Sequence, residues 1–250
     1  MIASRVSRVL NKRISFVSSR SIFINTETTP NPNSIKFLPG EEVLPEKYGS
    51  GKEFQSTSRQ NIQYSPLATN LFDIDGINGV YLGRDFISVT KAADYPWSTL
   101  KPMVFSTIFD FFSEEDNEVM LDHPVVSDTA ILDSDDEVVA TIKELLESKI
   151  RPYVQDDGGD IFFVKFDEET GFVHVRLAGS CVGCPSSSIT LRNGVENMLT
   201  HYIPEVRGIV DETSNDVEED QANDRISTDR SLKFKPSTKM DHISGHFNPY

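Results

Sequence analysis

Between Phe172 and Leu177 the chain alternates without a break: Val173, Val175 and Leu177 point one way, His174 and Arg176 the other. A period of two predicts a strand with one buried face. The apolar run from Ile161 to Phe166 precedes it across a turn at Glu168 to Gly171, so the two predict a hairpin. Upstream, Val138, Ile142, Leu145, Leu146 and Ile150 recur at helical intervals. Ser134 and Glu137 have capping-box spacing at the start of that helix, and Pro152 is expected to end it. "QDDGGD", 155 to 160, reads as a turn whose paired glycines supply backbone angles closed to other residues. Downstream, Pro185 suits a first helical position. Leu191, Val195, Met198, Leu199 and Tyr202 then mark one helix face that ends before Pro204. The order is helix, strand, strand, loop, helix.

The first half of the chain has the same mixed texture. Strands are expected at Ile22 to Ile24, Ile35 to Leu38, Val80 to Leu82 and Phe86 to Thr90. "TTPNPNS" separates the first pair as a turn, and Gly83-Arg84-Asp85 the second. Residues 45 to 64 read as a polar loop. Ser65-Pro66 reads as an N-cap and first helical residue, opening a short helix to about Phe72. Trp97 to Phe112 predicts a helix that tolerates Pro102 near its start and carries an apolar stripe of Ile108, Phe111 and Phe112. The fold class is therefore α+β: two small mixed domains, 21–112 and 134–207, joined by an acidic linker, 113–133. Residues 208–250 are polar with little periodicity and are expected to form a disordered tail.

The formal net charge of −15 argues against a general nucleic-acid binder, which needs a basic face against phosphates. Its distribution says more than its size. Residues 1–26 hold no acid, whereas residues 1–20 hold Arg5, Arg8, Lys12, Arg13 and Arg20. Wound as a helix, they place Ile2, Val6, Val9, Leu10, Ile14 and Val17 on one side and Arg5, Arg8 and Lys12 on the other. The segment lacks the apolar core of a secretory signal and has the pattern of a mitochondrial presequence, so the matrix is the expected location. That compartment is reducing, which disfavours a structural disulfide. No apolar run approaches the roughly 20 residues of a membrane-spanning helix.

The two cysteines, Cys181 and Cys184, fall three positions apart at the strand-to-helix junction, in "GSCVGCPSSS". Random placement does this about once in a hundred arrangements, so the spacing signals paired chemistry. Dithiol–disulfide exchange is one use, since a helix N-terminus favours thiolate. Against it, Val182-Gly183 separate the pair, no tryptophan precedes them, and the domain has too few βαβ parts. A structural zinc site is a second use, but it wants four ligands, and His174 and His201 read better as surface histidines. An iron–sulfur cluster is the third. A cubane cluster wants four thiolates, which two chains each giving Cys181 and Cys184 would supply on a dimer axis. Helix N-termini would then face an anionic cluster, and Gly179 and Gly183 would let the backbone approach. On chemistry alone, zinc and iron–sulfur stand level. His123, in the linker, reads as solvated; His242 and His246, four apart, would make a metal pair only on a helix, which the Gly and Pro of "HISGHFNPY" disfavour. No phosphate-binding glycine loop or Ser-His-Asp set is present.

Longer stretches carry a resemblance. "IRPYVQDDGGDIFFVKF", "VHVRLAGSCVGCPSSSITLRNGVENML" and "IPEV" resemble the C-terminal cluster-binding domain of NifU-like proteins. "TETTPNPNSIKF" and "SPLATNLFDIDGINGVYLGRDFISVTK" resemble the N-terminal domain of the mitochondrial Nfu family. The match covers about residues 22–112 and 134–207. It implies a scaffold or carrier that is not an enzyme. In that family a 4Fe–4S cluster, one per homodimer, sits between two subunits on the cysteines that match Cys181 and Cys184. The resemblance further implies upstream cluster assembly factors as donors, and apo-protein clients such as lipoyl synthase and respiratory-complex subunits. The N-terminal domain, which has no cysteine, is expected to contact partners. The tail beyond Gly208 is longer than the family pattern.

Overall fold

The structure is a computed structural model that describes residues 23–114, 117–121, 127–182 and 185–213, with the side chains of 59, 60 and 185–189 left out. The presequence-like segment 1–20, His123, Gly183, Cys184, His242 and His246 lie outside the described residues. The N-terminal domain contains strands β1 (Asn25–Thr28), β2 (Ser34–Leu38), β3 (Gly51–Gln55), β4 (Ile77–Gly83) and β5 (Ile87–Lys91). Its helices are α1 (Arg59–Ile62), α2 (Pro66–Phe72) and α3 (Trp97–Ser113). The strands form one antiparallel sheet in the order β1-β2-β5-β4-β3.

The period-two pattern of this sheet separates two jobs. Ile35 and Phe37 on β2, Val80 and Leu82 on β4, and Ile87 and Val89 on β5 join the core that α2 and α3 cover with Leu67, Leu71, Leu100, Val104 and Ile108. The intervening residues Lys36, Tyr81 and Ser88 are also buried, yet they face the other way, toward the C-terminal domain. α2 starts as its sequence predicts: Ser65 Oγ accepts from Ala68 N, with Pro66 in the first turn.

Two expectations shift. The first described strand is Asn25–Thr28; Phe23 and Ile24 of the expected Ile22 to Ile24 strand lie just ahead of it, with Ile24 buried, and Ile22 lies outside the described residues. Residues 45 to 64 are not a plain loop: they hold a 3-10 turn, Glu46–Tyr48, then β3 and α1. "GKEFQ" offers only Phe54 to the core, so its strand character comes from pairing with β4 and not from its own pattern.

The C-terminal domain runs α4 (Glu137–Leu145), α5 (Arg151–Asp156), β6 (Gly159–Asp167), β7 (Phe172–Gly179), α6 (Pro185–Tyr202) and β8 (Gly208–Asp211). β6 and β7 form the predicted hairpin; β8 returns parallel to β7 after α6. Ile142, Leu146, Ile150 and Val154 pack with Val173, Val175 and Leu177, and with Val195, Leu199 and Ile203.

Here four expectations are corrected. The helix cap is Asp136, whose carboxylate accepts from Val139 N at 2.7 Å, not Ser134. Pro152 does not end the helix. The chain widens into a π turn over Leu146–Ile150, which makes room for a ring that would clash with the carbonyl four residues back, and α5 continues past it. Tyr202 is 63 % exposed, and Ile203 takes the core position instead. The expected tail at 208–250 begins with an ordered strand, β8, because the β7 edge is open to pair with Gly208–Asp211; residues 214–250 lie outside the described residues.

Candidate functional site

Cys181 follows β7 and precedes α6, at the carboxyl end of a strand that belongs to a β7-α6-β8 crossover. Two opposed turns build its surroundings. Gly158 and Gly179 both have left-handed backbones, with φ of 78° and 67°. Gly159, directly opposite Gly179 in the β6–β7 ladder, lacks positive φ and is needed for a different reason. A Cβ there would stand 2.2 Å from the Cys181 Sγ and 2.9 Å from the Ala178 carbonyl oxygen. At Gly179 a Cβ would meet the Gly158 carbonyl oxygen at 2.8 Å and the Tyr81 ring at 3.1 Å, so a larger side chain crowds the loop. Ser180 Oγ donates to Asp157 O at 2.6 Å, and Ser180 N donates to Gly158 O, which closes the two turns on each other.

The sulfur is turned inward. Cys181 is a reduced thiol, 6 % exposed, at the edge of an open cleft of about 540 Å3 lined by Pro30, Ile150, Tyr153, Leu191, Val195 and Met198. Burial pushes the thiol pKa up to about 12; the carboxylates of Asp157, Asp160 and Glu53 add to the rise, and a hydrogen bond with Ser180 opposes it. In this conformer Cys181 is a protonated, shielded thiol, unlike the exposed, low-pKa thiol that disulfide exchange requires. α6 begins at Pro185 beyond the loop, and the free N–H groups of its first turn favour negative charge.

Cys184 lies outside the described residues, so the structure places one of the two candidate ligands. The candidate histidines sit elsewhere: His174 Nδ1 is 2.6 Å from Glu212 Oε1 beside β8, and His201 packs edge-on to Tyr202 at the end of α6. Among the described residues no three His, Cys, Asp or Glu side chains gather where they could hold a metal.

The N-terminal domain supplies what the sequence did not announce. Asn31, in the "TTPNPNS" turn, donates through Nδ2 to Ser180 O at 3.2 Å and to Val182 O at 3.1 Å. Lys36 Nζ donates to Asp156 O, Ser88 Oγ to Gly158 O, and Gly179 N to Glu53 Oε1. Tyr81 OH donates to Asp160 Oδ2 at 2.6 Å, and Arg151 Nε donates to Asp160 Oδ1 at 3.1 Å. Arg151 also reaches both Asp128 oxygens at 2.8 Å, as well as Thr129, Glu147 and the Ile161 carbonyl, which ties the linker to the C-terminal domain. Burial drives the Asp160 carboxyl above its ordinary value, with Arg151, Tyr81 and the Ile161 amide pulling the other way. For Arg151, burial is outweighed by Asp160, Asp128 and Glu147, which hold the guanidinium above its ordinary value. The sequence signal for these contacts was slight: an asparagine between two prolines, and polar residues at sheet positions that alternate with core.

Two family models match the chain: "Scaffold protein Nfu/NifU N terminal" over residues 24–115 and "NifU-like domain" over residues 142–210. A NifU-like protein of Schizosaccharomyces pombe is 46% identical over 209 residues, covering 83% of this chain and 79% of that protein. The mitochondrial NifU-like protein 5 of Arabidopsis thaliana is 48% identical, covering 80% of this chain and 71% of that protein. The mitochondrial NFU1 iron-sulfur cluster scaffold homolog of Drosophila persimilis is 44% identical, covering 94% of this chain and 78% of that protein. With both domains matched in order, and relatives alike along most of their length, the chain belongs to the Nfu/NifU-like family.

Proposed function

We propose that this protein is a mitochondrial iron–sulfur scaffold whose Cys181 and Cys184 hold a 4Fe–4S cluster between two copies of the chain and release it to apo-proteins. The scaffold role and the mitochondrial setting follow the names of the relatives, which align along most of the chain. The cluster type, the dimer and the ligands are our reading. One observation carries it: the Cys181 thiol is held at the β7–α6 junction in a turn that only glycines at 159 and 179 permit, and among the described residues no three His, Cys, Asp or Glu side chains gather where they could hold a metal. A cubane cluster needs four thiolates, and a chain with two cysteines meets that need by pairing with a second copy.

The cluster is cargo. Both thiols must lose a proton to bind it, so loading requires Cys181 to leave its buried, protonated state. Nothing in this role turns over a small substrate. The clients that the resemblance implies, lipoyl synthase and respiratory-complex subunits, would receive the cluster when the two chains part, and upstream assembly factors would supply it. The buried, high-pKa thiol weighs against the dithiol–disulfide alternative.

Anaerobic reconstitution of the protein lacking residues 1–20 tests the reading. About two iron and two sulfide per chain, an absorption band near about 400 nm and a dimer on sizing are expected, with loss of all three in Cys184→Ser. Colourless protein with about half a zinc per chain, or iron-free monomer with rapid disulfide exchange, would overturn it.

A further inference from the structure

Asn31 belongs to a domain with no cysteine, yet its side chain is spent on the thiol loop. It is 2 % exposed. Its Oδ1 accepts from Asn33 N at 2.9 Å, and its Nδ2 donates to the carbonyls of Ser180 and Val182, the two residues that flank Cys181. Its amide orientation is fixed by this chemistry, because one end meets a donor and the other meets two acceptors. The backbone is fixed too: Thr29 Oγ1 and Ser34 N both donate to the Asn31 carbonyl. A rigid turn of the first domain therefore spans the sulfur-bearing residue of the second, 150 positions away in sequence. Two further contacts fix the frame around it, Gly179 N to Glu53 and Ser88 to the Gly158 carbonyl.

We propose that Asn31 is a positioning residue that clamps the thiol loop in its sulfur-buried conformer, so that the N-terminal domain governs access to Cys181. Turning the sulfur outward rotates the peptide groups on either side of Cys181. One of them carries the Ser180 carbonyl, and the next peptide along, that of Val182, carries the second carbonyl that Asn31 holds. Buried carbonyls are costly to leave unpaired, so the loop opens only as the turn around Asn31 lets go. The cysteine-free domain thus acts on the site without contributing a ligand. Only the consequence for cluster loading rests on the function proposed above; the clamp itself is a property of the iron-free chain.

Alkylation of Cys181 by iodoacetamide tests it, in the full iron-free chain carrying Cys184→Ser so that one thiol reports. Asn31→Ala removes both donors. Asn31→Asp keeps the acceptor for Asn33 N but turns an oxygen toward two carbonyl oxygens, so it serves if the alanine variant folds poorly. Ser65→Ala is the control: it strips the cap of α2 on the opposite face of the same sheet. The expected result is an alkylation rate raised about tenfold or more in both Asn31 variants, as the loss of one or two buried hydrogen bonds implies, and unchanged in Ser65→Ala. Rates within twofold of the parent in folded Asn31 variants would overturn the clamp. So would an equal rise in Ser65→Ala, which would make exposure a matter of general loosening. Because no iron enters the assay, a failed reconstitution and a failed clamp are separate results.

Discussion

Adding one methyl group to this protein should have opposite effects at two glycines of the same domain. At Gly159 the new Cβ would lie 2.2 Å from the Cys181 sulfur, 2.9 Å from the Ala178 carbonyl oxygen and 3.3 Å from the Cys181 Cβ. The carbonyl belongs to the paired strand and cannot swing aside, so the sulfur must leave its place and the ladder must spread. Overpacking of this kind costs about 1–3 kcal/mol. At Gly194, inside α6, nothing lies within 4 Å of the added atom. There alanine should stabilise by about 0.5–1 kcal/mol, because glycine loses more backbone freedom on entering a helix. Urea unfolding of the C-terminal domain measures both. With a slope of about 2 kcal/mol/M, Gly159→Ala should lower the midpoint by about 0.5–1.5 M and Gly194→Ala should raise it by about 0.25–0.5 M. The sulfur's share is separable. In a Cys181→Ala background the closest contact is gone while the carbonyl clash and the contact with the β-carbon at 181 remain, so Gly159→Ala should cost about 1 kcal/mol less than in the parent. If Gly159→Ala proved as stable as the parent, or equally costly with and without the sulfur, the inward placement of Cys181 would be refuted.

The buried charge network and the Asp135–Lys143 pair give two further outcomes. Arg151→Met leaves Asp160, which is fully buried, and Asp128 without their cation, and should destabilise by about 3–5 kcal/mol in thermal or urea unfolding; near-parent stability would mean that water reaches the network. Asp135 accepts from Leu132 N at 2.8 Å and from Lys143 Nζ at 2.7 Å, and these bonds hold its carboxyl below the ordinary 3.8. A depressed folded pKa gives stability that is complete above the ordinary value and is lost as pH falls through the lowered one. Parent and Asp135→Asn should therefore differ in melting temperature at neutral pH and converge as pH falls through the lowered pKa of the folded carboxyl; a constant gap would sink the assignment.

Legibility in the sequence followed the strength of each local signal. Strand β7 alternates cleanly and was readable to the residue at Val173, Val175 and Leu177, because one face meets the core and the other does not. β3 and β8 were not readable. Each is a short strand that owes its existence to an edge supplied by a neighbour, β4 in one case and β7 in the other, so the determining information lies far away in the chain. Pro152 misled for a related reason: the usual rule treats proline as a stop, and the π turn ahead of it is a tertiary accommodation. At the site, the spacing of Cys181 and Cys184 announced paired chemistry, and the glycines announced tight turns. The sequence could not say that Gly159 yields its Cβ space to a sulfur, or that Asn31 is bonded across the domain boundary.

The make-up of that boundary bears on how the protein can work. Its apolar part is small, Tyr81, Phe86 and Ala178 with Leu38 and Phe162 at the edge. Most of the remainder is polar: two bonds from Asn31 and one each from Lys36 and Ser88 to carbonyls of the two turns, and the Tyr81–Asp160–Arg151 chain behind them. Apolar burial scales with area and favours many dockings about equally, whereas bonds to particular carbonyls favour one. A buried ion pair adds little net stability but strongly penalises any arrangement that leaves a partner unpaired. The boundary is therefore specific without being strong, the combination a reversible cover needs. A larger apolar seam would lock Cys181 inside, and a purely solvated linkage would leave it exposed to every oxidant. An interface held by carbonyl-directed bonds keeps the thiol buried and protonated at rest, and comes undone at the cost of a few exchanged hydrogen bonds, each worth about 0.5–1.5 kcal/mol.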